Sequence, residues 1–234
     1  MGSGAIGLIN NTAAVSANEP DLTPANNRSS AAFTAQSNSL VYFNDFDGVV
    51  GPEWTNPKQT TPACGSPFLG EYGNESAILN LSGLPAHTQV MVAFDLHTLR
   101  SWNGNLTRYD LERGPDYFRF DVDGNRLLNT TFSNNVTRII PQFFPGQVGG
   151  AEYPGQTGAM RVNSLCYQFG NKPMDATYHL VQVTNHTGST LTLDFSGFNL
   201  QELANESWGL DNVAVYVFAG SAPALRLFLP ITVK

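Results

Sequence analysis

Charge is scarce in this chain, and positive charge scarcest: 12 Lys and Arg stand against 19 Asp and Glu in 234 residues, a formal net charge of -7. The cations are scattered singly, so no basic patch is available to neutralise a phosphate backbone, and nucleic acid is excluded as a partner. No apolar run approaches the roughly 18 residues of a membrane-crossing helix. Long helices are missing too, because no dozen residues keep a clean 3.6 period, and Leu99 to Arg113 is interrupted by Asn and Gly. The opening MGSGAIGLINNTAAV has no basic flank and only a short apolar patch, unlike a secretory leader. A mature fragment or a piece of a longer protein is expected.

Catalytic signatures are equally sparse. There is no Gly-x-Ser-x-Gly elbow, no glycine-rich phosphate loop, and no zinc-type pairing among His87, His97, His179 and His186. Glu71, Glu75, Asp95, Asp116, Glu202 and Glu206 supply carboxyls, but nothing in their spacing pairs two of them for glycoside hydrolysis. The expectation is a protein that is not an enzyme.

What is plentiful is the material of sheets and turns: 15 Phe, 8 Tyr, 22 Gly and 14 Pro. The stretch Glu202 to Ala219 carries the pattern most fully. Val213, Val215 and Val217 alternate there with Ala214, Tyr216 and Phe218, after an acidic entry holding Glu206, Trp208, Asp211 and Asn212. In TQVMVAFDLHTL, Val90, Val92, Phe94 and Leu96 share one face, while Met91, Ala93, Asp95 and His97 share another that meets either solvent or a ligand. Asp95 and His97 are spaced to pair on that face; a salt-bridged or solvated strand face is the other reading. Leu40 to Phe43 reads as a first strand with an acidic end, and Tyr117 to Phe132 as a hairpin turning at Asp123-Gly124-Asn125. Roughly ten strands without crossover helices predict an all-β fold, an antiparallel two-sheet sandwich of jelly-roll type. It is expected to occupy residues 37–234, preceded by a strand-bearing arm at 1–36. The run LRLFLPITV is expected as an edge strand, since Pro230 removes a ladder donor.

Two cysteines, Cys64 and Cys166, are the only ones present. A disulfide between them suits an extracellular chain and would stabilise it by about 4 kcal/mol in the chain-entropy model; two buried thiols are the other reading. Sequons occur at Asn10, Asn27, Asn74, Asn80, Asn105, Asn129, Asn135, Asn185 and Asn205. They reflect either a polar composition or an exported glycoprotein.

Three stretches resemble known families. Asn11, Thr12, Ala13, Ala14 and Val15, then Asp21, Pro24, Asn26 and Asn27, resemble the last strands of an immunoglobulin-like bacterial surface repeat. Such a remnant cannot bury a face alone, so the resemblance implies pairing with the main domain or with a neighbouring molecule. Asp211-Asn212-Val213 opening the closing strand resembles the lectin-like and carbohydrate-binding jelly rolls of extracellular proteins. The tail LFLPITVK resembles those of exported proteins from filamentous green non-sulphur bacteria, implying a native end and a cell-surface origin.

First and last strands of a jelly roll are commonly neighbours, so Asn44, Asp45 and Asp47 are expected to meet Asp211. The resemblance implies a structural calcium there, held by hard oxygens; capping of turns by the same side chains is the alternative. For sugar, an aromatic platform beside fixed amides is required. Trp102 with Asn103 and Asn105, in a polar loop, is the expected platform; Trp54, Tyr109 and Trp208 are further candidates, with Trp208 assigned to the core. The function expected is a non-catalytic extracellular or cell-surface subunit of a surface or filament structure. It would associate with itself or with other surface proteins by strand addition. The alternative is a calcium-stabilised carbohydrate-binding module with glycans as partners.

Overall fold

A computed structural model of the chain describes residues 7–14, 28–35, 38–106, 115–135 and 140–220. Among them every regular element is a strand. In the N-terminal segment, β1 (Gly7–Ala14) and β2 (Arg28–Ala35) pair antiparallel with each other, Gly7 opposite Ala35 and Ala14 opposite Arg28. The strands expected to seek a host thus each have one edge satisfied within the segment. The sandwich follows as β3 (Asn38–Asn44), β4 (Gln59–Thr60), β5 (Phe68–Tyr72), β6 (Ser76–Ser82), β7 (Gln89–Arg100), β8 (Tyr117–Val122) and β9 (Asn125–Thr131). It continues as β10 (Arg161–Val162), β11 (Gln168–Phe169), β12 (Lys172–Pro173), β13 (Asp175–Asn185), β14 (Thr190–Phe198) and β15 (Glu206–Phe218). Leu225 to Val233 and Tyr109, singled out in the sequence, lie outside the described residues.

The large sheet has seven strands in the order β10-β13-β7-β15-β5-β4, with β3 joining β15 beyond β5; the small sheet runs β6-β14-β8-β9. Strand β15 is central because it is long enough to hold β5 on Trp208–Leu210 and β3 on Val213–Phe218, with β7 along its other side. Two facing antiparallel sheets make the expected sandwich.

Alternation builds the core. Val90, Val92, Phe94 and Leu96 of β7 and Val213, Val215 and Val217 of β15 turn inward and meet Phe118, Phe120, Leu193 and Phe195 of the small sheet. Phe195 is the hinge of this packing, with ring centroids 5.0 Å from Phe94 and 4.8 Å from Phe120. Each such side chain removed from water contributes about 1.5–3 kcal/mol. The β8–β9 hairpin turns at Asp123 and Gly124, whose φ values of 48° and 76° give the positive pair of a type I′ turn.

The irregular stretch after residue 140 is anchored by Gln142, which is fully buried. Its Oε1 accepts the backbone N–H of Ser133 and Gln156, and its Nε2 donates to the carbonyls of Phe144 and Thr157. Cys64 and Cys166 form a disulfide with Cα atoms 5.4 Å apart, as expected.

Candidate functional site

The register of the large sheet lays out its outer face in rows. One row runs Thr177, His97, Gly209 across β13, β7 and β15, and the next runs His179, Asp95, Asp211. The third reads Val181, Ala93, Ala214 and Phe43, and the fourth Val183, Met91, Tyr216 and Leu40, with β3 now included. Half of this face is polar and half apolar, and the change falls at the β-bulge between Asp211 and Ala214.

The bulge explains the geometry. Asn212 sits in the left-handed region with φ of 50° and stays exposed, while Val213 drops into the core. One extra residue on one strand bends it and re-aims a side chain. Here Asn212 Nδ2 donates to Asp95 Oδ2 at 3.0 Å, over the adjacent strand. The other oxygen of Asp95 lies 2.6 Å from Nδ1 of the exposed His179. That hydrogen bond to Asp95 holds the His179 imidazole above its usual pKa. Asp95 therefore pairs with His179 on β13, giving the salt-bridged strand face that was one of the two readings, and not the pair with His97 on its own strand.

His97 is recessed instead, only 4% exposed, with Nδ1 2.9 Å from Thr177 Oγ1 and with Phe68 edge-on to its ring. Gly209 makes room for that ring: a Cβ there would lie 2.3 Å from Phe68 Cδ2. Burial pushes His97 down to about 4, so it is neutral at pH 7. Asp211 moves the other way. Burial, reinforced by the carboxylates of Asp95, Asp47 and Asp45, pushes it up to about 6 against the pull of the Asn212 N–H.

The apolar half is a shallow groove of about 530 Å³. Ala93 and Ala214 form its floor, Met91 and Val181 line it, and the rings of Phe43 and Tyr216 stand beside them. Phe43 is 52% exposed, which a large apolar ring rarely is without a reason. The polar half opens into a recess of about 140 Å³ walled by loops on either side of the Cys64–Cys166 bridge. Asp175 shapes one wall: fully buried, it accepts the backbone N–H groups of Ser164, Leu165 and Tyr167.

The residues expected to bind sugar lie elsewhere. Trp102 is fully buried, donates to the Ser207 carbonyl at 2.7 Å, and packs edge-on against Phe132, so it offers no platform. Polar neighbours in sequence concealed a side chain that the fold carries under the loop. Trp54 and Trp208 are in the core as well, their indole N–H groups satisfied by Tyr42 Oη and the Gly73 carbonyl. Asn103 and Asn205 line a second hollow, of about 380 Å³, at the end of the sandwich beside the half-exposed Phe169. Asn103 Nδ2 donates there to Glu206, while its backbone N–H donates to Asp116. Asn105 is tied to Thr131 and Glu152.

The expected meeting of Asp211 with the acidic end of the first strand takes place, with Val213 opposite Asn44. Two of the oxygens expected to hold calcium are already engaged within the loop. Asn44 Oδ1 accepts the Phe46 N–H at 2.7 Å and Asp45 Oδ1 the Asp47 N–H at 3.2 Å, both turned back onto their own loop. Among the described residues no three of His, Cys, Asp or Glu converge to hold a metal.

No protein-family profile matches any part of the chain, the immunoglobulin-like stretch included, and no curated protein matches its sequence. Solved structures are similar to it at low identity. Dimeric latent PorU from Porphyromonas gingivalis is similar over 79% of this chain and 13% of its own, with 10% identity and a TM-score of 0.41. A family 35 carbohydrate binding module from Clostridium thermocellum is similar over 76% of this chain and 97% of its own, at 11% identity and a TM-score of 0.34. A carbohydrate binding module from Cellvibrio mixtus lichenase 5A, in complex with cellotriose, gives 79% and 100%, 10% identity and a TM-score of 0.32.

Proposed function

We propose that this sandwich is a non-catalytic glycan-binding module of an extracellular or cell-surface protein, reading sugar on the outer face of the large sheet. The observation that carries the reading is the division of that face. A pyranose has a flat C–H surface and a rim of hydroxyls, and it needs an apolar floor beside polar groups already fixed in place. Ala93, Ala214, Phe43 and Tyr216 supply the floor, and Asp95, His179 and Asn212, bonded to one another, supply the rim. Preorganised donors and acceptors lose little freedom on binding. The paired cysteines support an oxidising compartment.

A glycan array followed by calorimetry tests the reading. The intact protein is expected to bind, and Tyr216→Ala and Phe43→Ala are each expected to weaken binding about tenfold, the loss of one aromatic contact. Tyr117→Ala, which removes a ring stacked on Phe198 on the opposite sheet, should leave affinity unchanged. Absence of binding to every glycan sinks the proposal. Loss on Phe169→Ala with none on Tyr216→Ala moves the site to the hollow at the end of the sandwich.

A further inference from the structure

The recess at the polar end of the groove contains two polar atoms that face one gap. Oδ2 of Asp211 and Nε2 of His97 are 3.9 Å apart, too far to bond each other, and neither has a hydrogen-bond partner among the described residues. Oδ1 of Asp211 is already engaged by the Asn212 N–H at 2.7 Å, and Nδ1 of His97 by Thr177. The bond to Thr177 Oγ1 is compatible with either ring tautomer, and in the one that donates Nδ1–H to that oxygen His97 presents an acceptor lone pair at Nε2. In that tautomer the gap lacks a donor that serves both atoms at once.

Charge narrows what that donor is. Asp95 and Asp211 line the recess, and Asp45 and Asp47 are close enough to act on Asp211; among the described residues, those opposing them are Arg161 and His179. A hydroxyl brings one proton and no charge. A primary ammonium brings three protons and the missing charge, in a volume well under 140 Å³. We infer that the recess takes the ammonium of an amino sugar, so that the glycan read by this face carries an unacetylated amine beside Asp211 and His97.

This inference rests on the glycan-binding reading, and the test separates the two. Amide chemical shifts of the intact protein are followed during titration with methyl glycosides in matched sets: glucosamine, N-acetylglucosamine and glucose, with the galactose and mannose counterparts. At least one amine-bearing member is expected to bind about tenfold or more tightly than its acetylated and hydroxyl partners. Its shifts should centre on His97, Asp211 and Asn212. Asp211→Asn should bring its affinity down to that of the neutral sugars. Equal or tighter binding by the neutral members, or amine-induced shifts confined to other sites, overturns the inference. Neutral sugars that shift Phe43 and Tyr216 meanwhile leave the glycan-binding reading standing. No response to any member overturns the inference as well, and the array then judges the broader proposal alone.

Discussion

Asp211 and His97 titrate in opposite senses across one pH window, so each hides the other in the wild-type protein. The folded pKa of Asp211 is raised from 3.8 to about 6, so the folded state holds the extra proton, and stability falls as pH rises through that interval. His97 is lowered from 6.5 to about 4; here the unfolded state holds the extra proton, and stability rises as pH climbs from about 4 to 6.5. Asp211→Asn removes only the falling contribution. Its stability relative to wild type should therefore increase between pH 4 and 6 by about 1 kcal/mol, allowing for solvent screening, as read by urea unfolding at several pH values. A carboxyl pair, Asp116 and Glu206, sits deeper. Burial and the neighbouring Glu206 raise Asp116 well above its ordinary range, so folding retains a proton there, and the associated stability is lost as pH rises through the folded pKa. Asp116→Asn keeps an acceptor for the Asn103 N–H, and should flatten the fall in thermal midpoint as pH rises above the ordinary carboxylate range.

At the scale of elements, the wall of the recess depends on two short loops held by one covalent bond and one carboxylate. Cys64→Ser with Cys166→Ser should lower stability by up to about 4 kcal/mol, the chain-entropy value for so long a loop. It should also weaken glycan binding, by calorimetry, more than it alters the core, by near-ultraviolet circular dichroism. Strand alternation was the legible part of this architecture. The inward residues of β7 and β15, the Asp-Gly turn of β8 and β9, and the mixed outer face of β7 can all be read from spacing alone. Cross-strand neighbours cannot: spacing offers His97 to Asp95, and a salt-bridged face in general, but does not single out His179, 84 positions away. Bulges defeat a strict period of two. Val41 is passed over where Tyr216 meets Leu40 and Val215 meets Tyr42, so both Val41 and Tyr42 pack inward and Phe43 emerges. Trp102 failed for a related reason, since loop polarity in sequence says nothing of which side the loop covers. The sequence signal for the groove is Tyr216, an aromatic set against the valine face of β15, and it becomes legible only once the sheet order is known.

For the molecule as a whole, the sandwich has one large apolar core, and Asn44 and Asp45 each turn one side-chain oxygen onto their own loop. Thermal unfolding in calcium and in chelator should coincide, because a cation binding only the folded state would raise the midpoint; separate curves would show that the loop rearranges to coordinate. The two sheets also divide the surface into unlike hemispheres. Seven of the sequon asparagines fall among the described residues with their side chains: Asn74, Asn80, Asn105, Asn129, Asn135, Asn185 and Asn205. None of these lines the groove or the recess. Branched chains attached at Asn80 and Asn129, on strands of the small sheet, or a tether there to a cell wall or a bead, would load the far hemisphere and leave the reading surface pointing outward, free of self-occupation.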